Sequence, residues 1–216
     1  MLITYHGHSE FLLETADGFR ILTDPFNAAT GYPMGTYEAD VVTISHGHGD
    51  HTEVSKVLGN PVILREPGPH NLPHDVEIRG YHSFHDDHHG QQRGQNLCFV
   101  IQADGLTLAH MGDIGDLPDE VLAQALKKVD ILMIPVGGHY TIDAQKAADI
   151  ARSSGARVVI PMHYRTALGG YSVIATSEPF EQLMSPPAPA HYPLLRVTNG
   201  DLSEQPGCVV LDIQAP

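Results

Sequence analysis

Cysteine is scarce in this chain: Cys98 and Cys208 are its only two in 216 residues. Two thiols cannot build a disulfide framework, and each sits in an apolar, strand-like run, which predicts buried core thiols and no thiolate metal site. No apolar run approaches the roughly 18 residues that cross a bilayer. The opening MLITYHGHSE carries neither a basic stretch nor an apolar block with a small-residue cleavage site, so the sequence predicts a soluble, cytoplasmic protein without a membrane partner. Basic residues are few, 12 Lys and Arg against 26 Asp and Glu, for a formal net charge of -14. Such a surface repels phosphate backbones and argues against nucleic acid as a partner. Also missing are a GxSxG elbow, a Walker loop and a GxGxxG fingerprint, which leaves serine-nucleophile, nucleotide-phosphoryl and dinucleotide chemistry without support.

The length fits one domain over residues 1–216 with a sizeable core. Short apolar runs LITY, FLLET and FRILT, separated by Gly, His or Asp-Gly, predict an antiparallel meander. DVVTIS at 40–45 predicts a strand, a short helix follows between Glu53 and Leu58, and PVILR and VEIRG read as further strands flanking a connection through Pro67, Pro69 and Pro73. Residues 81–94 are polar and without periodicity, which predicts a loop. NLCFVIQA and LTLAH flank Asp104-Gly105, a strong hairpin signal. The second half alternates: helix over 118–128, strand DILMIP, helix from the cap Asp143 to about Ser153, strand RVVIP, a short helix at 178–184, an irregular SPPAPAHYP and a closing strand VVLDI. Strands in two layers with attached helices point to a sheet sandwich covered by helices on its outer faces.

What the chain does have is histidine, 15 in all, the commonest protein metal ligand. His46, Gly47, His48, Gly49, Asp50 and His51 place three imidazoles and a carboxylate at the exit of a strand, with glycines expected to let the backbone turn tightly. In extended chain His46 and His48 point the same way and can share one ion, while Asp50 and His51 can turn toward a second.

This HxHxDH segment resembles the signature of the metallo-β-lactamase superfamily, and the likeness extends over roughly positions 1 to 170 through GHSEFLLE, TDP at 23–25, AHMGD at 109–113 and IPMHY at 160–164. It is most similar to the branch that includes L-ascorbate 6-phosphate lactonase. The resemblance implies an α+β, four-layer αββα sandwich. It also implies a first metal on His46, His48 and a later histidine, a second on Asp50, His51 and His163, and Asp113 bridging both. His82, His85, His88 and His89 crowd the loop that must supply the missing ligand; His85 is the choice, ahead of the Arg93-Gly94-x-Asn96 element, with His82 the alternative. The cofactors implied are two divalent cations, zinc first, with manganese or iron also suited to the donors.

Asp24, in TDP, is the candidate to orient a metal-bound imidazole, with a turn before Pro25 as the bland alternative. His8 and His110 lie beside motif residues and fit structural roles as well. His139 and Tyr140 follow a strand where loop residues meet substrate, and Arg93 offers a cation to an anionic group. The function expected is hydrolysis of an ester, lactone, amide or phosphoester bond of a small molecule by hydroxide that the metals make available near neutral pH, with Asp50 as the catalytic carboxylate. The alternatives are a small phosphodiesterase of the same fold and a non-catalytic metal-binding or structural protein; an oligomer is left open.

Overall fold

A computed structural model describes residues 1–202 and 207–214. Its strands in chain order are β1 (Leu2–Gly7), β2 (Glu10–Glu14), β3 (Arg20–Thr23), β4 (Tyr37–Glu38), β5 (Val41–Thr43), β6 (Val57–Leu58), β7 (Val62–Leu64) and β8 (Gly68–Leu72). Then follow β9 (Val76–Phe84), β10 (Gln95–Ala103), β11 (Leu106–His110), β12 (Ile131–Pro135), β13 (Val158–Met162), β14 (Ala190–Tyr192), β15 (Leu195–Arg196) and β16 (Val209–Leu211). Three α-helices interrupt the second half, α1 (Glu120–Leu126), α2 (Ala144–Ser154) and α3 (Glu178–Met184).

Most strands form two six-stranded sheets, ordered β15-β1-β2-β3-β5-β7 and β13-β12-β11-β10-β9-β8. In β1, Ile3 and Tyr5 are buried while Leu2 and Thr4 are only partly so, the period-two pattern of a strand with one face on a core. The expected meander is present as the antiparallel run β1-β2-β3. β12 and β13, apolar throughout, are buried throughout, since a helical layer covers the face that does not meet the other sheet. One core joins Ile3, Tyr5, Phe11 and Leu13 of the first sheet to Ile78, Phe99, Ile101 and Leu132 of the second. Cys98 and Cys208 are buried free thiols, as their apolar settings predicted.

The helices begin where short polar side chains satisfy free N–H groups. Asp143 accepts from the N–H of Lys146 at 2.9 Å, and α2 then buries Ala147, Ala148, Ile150 and Ala151 against β12 and α3. Asp119 caps α1 in the same way, accepting from Leu122 at 2.8 Å. Over the outer face of the first sheet, Leu22, Val42 and Ile44 are covered by Tyr37, Val54 and Val57. This layer is built from a 3-10 turn at Val54–Lys56 and the β4–β6 ladder, so the helix expected at 53–58 is a single tight turn running into a strand. The whole is the α+β sandwich, helical over one sheet and reduced to short turns over the other.

Three local expectations give way. The proline-rich connection contains β8, which pairs only with β9 as the last strand of its sheet and so tolerates Pro69. The strand VEIRG continues to Phe84, pairing Ser83 with Asn96, because its backbone is laddered although its side chains are polar. SPPAPAHYP contains β14, which lies between Pro189 and Pro193 and pairs in parallel with β16. The Asp104-Gly105 hairpin is as expected, with φ values of 54° and 71°. Among the described residues no helix is long and apolar enough to cross a membrane.

Candidate metal centre

Loops leaving the C-terminal ends of separate strands converge on one edge of the sandwich. His8 follows β1, Asp24 follows β3, the segment from Ser45 to His51 follows β5, His85 follows β9, Asp113 follows β11 and His163 follows β13. Backbone strain accompanies this convergence: His8, Asp24 and His163 have φ of 53°, 37° and 52°, in the left-handed region that side-chain-bearing residues avoid. The His163 N–H donates to the carbonyl of His8 at 2.7 Å, which locks the two strained residues together.

Asp113 lies at the centre. Its Oδ2 is 3.3 Å from Nε2 of His51, 3.3 Å from Nε2 of His85, 3.2 Å from Nε2 of His163 and 3.9 Å from Nε2 of His46. Ligand atoms of His46, His48 and His85 also lie within 4.8 Å of one another, as do those of His8, His51 and His163. Of the two histidines competing for the loop position, His85 is buried in this cluster, whereas His82 is exposed on a neighbouring cavity beside Arg65 and Glu66.

Asp24 holds the cluster from beneath. Its carboxylate accepts from Nδ1 of His51 at 3.0 Å, from the N–H of Ser45 at 2.7 Å and from the Ser45 hydroxyl at 2.5 Å. That hydroxyl in turn accepts from Nδ1 of His46 at 2.9 Å. With both Nδ1 atoms donating, a neutral His46 or His51 presents a bare Nε2 lone pair, and among the described residues neither buried Nε2 accepts a hydrogen bond. Burial and the neighbouring His51 push the His46 imidazole down to about 3, so it is neutral. Burial opposes charge on His51 too, but Asp113 and Asp24 on either side outweigh it and hold His51 well above its ordinary value. The same contact, with His163, keeps Asp113 well below the usual carboxylate range despite burial.

Asp50 stands at the rim. Its Oδ2 accepts from Nε2 of His8 at 3.2 Å and from the hydroxyl of Tyr171 at 3.0 Å, and lies 4.0 Å from Nε2 of His51. A cavity of about 380 Å³ opens over these groups, walled by Asp50, Asp113 and His163 and by Arg93, Tyr140 and Tyr171.

His110 is buried below the cluster, its Nε2 donating to the carbonyl of Ser9 at 2.9 Å and its Nδ1 accepting from the N–H of Gly112 at 3.3 Å, so it braces the AHMGD turn. His139 is exposed and lines an adjoining cavity. Gly47 and Gly49 were expected to supply a special turn, yet neither has positive φ, and a Cβ on Gly47 would meet nothing. Gly112 does need to be glycine: its φ is 54° and a Cβ would fall 2.4 Å from Oδ1 of Asn96. Sequence reasoning missed Ser45 and Tyr171. Ser45 adjoins the HxHxDH segment and is the kind of short donor that bridges ligands, whereas Tyr171 lies in an aperiodic loop 121 residues beyond its partner.

A sheet sandwich carrying a histidine and aspartate cluster on the loops at one edge defines the metallo-β-lactamase architecture, and the comparisons agree. Residues 2–163 match the model of the β-lactamase superfamily domain. A UPF0173 metal-dependent hydrolase of Geobacillus sp. (strain WCH70) is 30% identical, over 77% of this chain and 86% of that one. Another from Methanoculleus marisnigri is 35% identical, over 77% and 82%. A crystal structure described as that of a candidate Zn-dependent hydrolase of the metallo-β-lactamase superfamily, from Thermotoga maritima, superposes with a TM-score of 0.81 at 31% identity, covering 99% of each chain. The chain belongs to the metallo-β-lactamase superfamily, among its metal-dependent hydrolases.

Proposed function

We propose that this enzyme hydrolyses an ester, lactone, amide or phosphoester bond of a small molecule at a pair of divalent cations, zinc in the first instance. One observation carries the reading: the Nε2 atoms of His46, His51, His85 and His163 crowd one carboxylate oxygen of Asp113 within 3.9 Å, and that of His46, a neutral imidazole, is buried and among the described residues has no partner. Buried polar atoms left unpaired are costly, and a cation among them answers the nitrogens and the carboxylate at once. His46, His48 and His85 would hold one cation, Asp50, His51 and His163 the other, and Asp113 would lie between them. Nitrogen and oxygen donors suit zinc, and manganese or iron as well. Cations bound there supply acidified water near neutral pH and polarise the carbonyl or phosphoryl oxygen of the substrate.

The chain's own groups do the rest. Asp24 fixes the tautomers of His46 and His51 by accepting, directly or through Ser45, from their Nδ1 atoms. Asp50 would offer the cation Oδ2, the oxygen held by His8 and Tyr171 and 4.0 Å from Nε2 of His51, which leaves Oδ1 to take a proton from the attacking water. Phosphodiester cleavage of a small molecule is the second reading, because the same pair of cations serves both reactions. The test is metal content per chain, by plasma mass spectrometry, for wild type and His163→Ala. About two metals falling to about one supports the reading; a wild type that stays below one metal after reloading overturns it. Asp50→Asn then separates catalysis from structure, since lost hydrolysis with an unchanged melting temperature marks an enzyme and not a structural metal protein.

A further inference from the structure

Two cavities meet at Arg93. The one over the cluster is about 380 Å³, and a second of about 230 Å³ opens beside it; His85, Arg93 and Tyr140 line both. Four of the eight arginines, Arg20, Arg79, Arg152 and Arg157, have a carboxylate within 4.0 Å. Among the described residues Arg65, Arg165, Arg196 and Arg93 have none, and of these four only Arg93 lines the cavity over the cluster. It is half-buried, and among the described residues its guanidinium has neither an ion pair nor a hydrogen bond; its one contact of note is the face of Tyr140, 5.7 Å from the ring centre.

The neighbouring acids are committed elsewhere. Asp86, next in sequence to His85, accepts from the backbone N–H groups of His88, Gly90, Gln92 and Arg93 at 2.9, 2.9, 3.0 and 2.7 Å. Those four bonds spread its charge over the loop and fix the backbone from which Arg93 projects. Asp87 pairs with His88 at 2.6 Å, and Asp143 caps α2. The loop is thus rigidly tied at the root of Arg93 while the side chain's five donors face the junction unpaired. A cation prepared in this way, beside a hydrolytic centre, has an anion as its complement.

We infer that Arg93 anchors an anionic group of the substrate, a carboxylate or a phosphate, so that the bond cleaved lies over the cluster while the charged arm reaches the junction of the two cavities. The inference rests on the hydrolase reading above and narrows it to acids. The test uses three 4-nitrophenyl esters whose acyl chains match in length and end in an amide, a carboxylate or a phosphate, with metal-loaded wild type, Arg93→Met and Arg93→Lys. In wild type, kcat/KM for the better anionic ester should exceed that for the amide by about tenfold or more, as expected for a charge-assisted pair. The ratio should fall below about 2 in Arg93→Met and recover in part in Arg93→Lys, with metal content and melting temperature as in wild type; which anion is preferred names the group. A wild type that hydrolyses all three esters without preference, or a ratio unchanged in Arg93→Met, overturns the inference and leaves the hydrolase reading standing. A metal-loaded wild type inert toward all three rules out ester hydrolysis at this site and overturns the inference with it.

Discussion

The hydroxyl of Tyr171 and Nε2 of His8 donate to the same oxygen of Asp50, at 3.0 and 3.2 Å, from opposite ends of the chain. Oδ2 is thereby held, which leaves Oδ1 for the proton transfer proposed for this carboxylate. Tyr171→Phe removes one of the two constraints without changing the shape of the cavity wall. Losing a hydrogen bond to a charged group is worth about 1.5 kcal/mol or more, so kcat should fall roughly tenfold or further. Metal content should stay at the wild-type level, because Asp50 is still present. Steady-state kinetics and mass spectrometry on the same preparation check this; a kcat within twofold of wild type would show that His8 alone suffices.

Metal binding should release protons. Asp113 and Asp24 hold His51 above its ordinary value and so favour its protonated form in the metal-free protein. An imidazole must lose its proton to bind a cation. The sign follows: apparent metal affinity rises as pH rises, and falls as acid restores the proton. Calorimetric titration of zinc in two buffers of different ionisation enthalpy at pH 7 should give enthalpies that differ in proportion, with at least one proton released per chain. Identical enthalpies in both buffers would contradict the assignment of His51.

Beneath the first sheet a second charged group is buried away from the cluster. Nζ of Lys56 lies 2.6 Å from Oε2 of Glu10, and Glu10 also takes donors from His6 at 3.1 Å and the N–H of Phe26 at 3.0 Å. Lys56 also rests over the ring of Phe26 at 3.9 Å, so the turn after the HxHxDH segment is tied to β2 through Glu10 and to the loop after β3 through Phe26. Lys56→Met should destabilise by about 3 to 5 kcal/mol, the range for a buried pair losing one partner. The double variant Glu10→Gln with Lys56→Met should recover part of that loss. Urea denaturation of the three proteins measures both steps.

Much of this molecule is legible in its sequence, for identifiable reasons. Apolar strands with period-two or continuous patterns, such as β1 and β12, and capped helices such as α2 announce themselves because burial and N–H satisfaction are local demands on residue type. β8, the end of β9 and β14 do not, since their side chains are polar or follow prolines and only backbone pairing makes them strands. At the centre, the HxHxDH segment stands out by composition, and its distant partners Asp113 and His163 through the resemblance of AHMGD and IPMHY to the family's motifs. Tyr171 does not, because a hydroxyl reaching Asp50 from a loop depends on tertiary placement that no spacing encodes.

The groups around Asp113 come from His46 and His51 on the loop after β5, His85 after β9 and His163 after β13. Their assembly therefore requires closure of loops long enough to dominate the folding rate. A chain with only the first sheet in place holds His46, His48 and His51 but neither Asp113 nor His163. Such an intermediate lacks the full donor set, so tight metal capture belongs to the last stage of folding and makes the cation a reporter of completed topology.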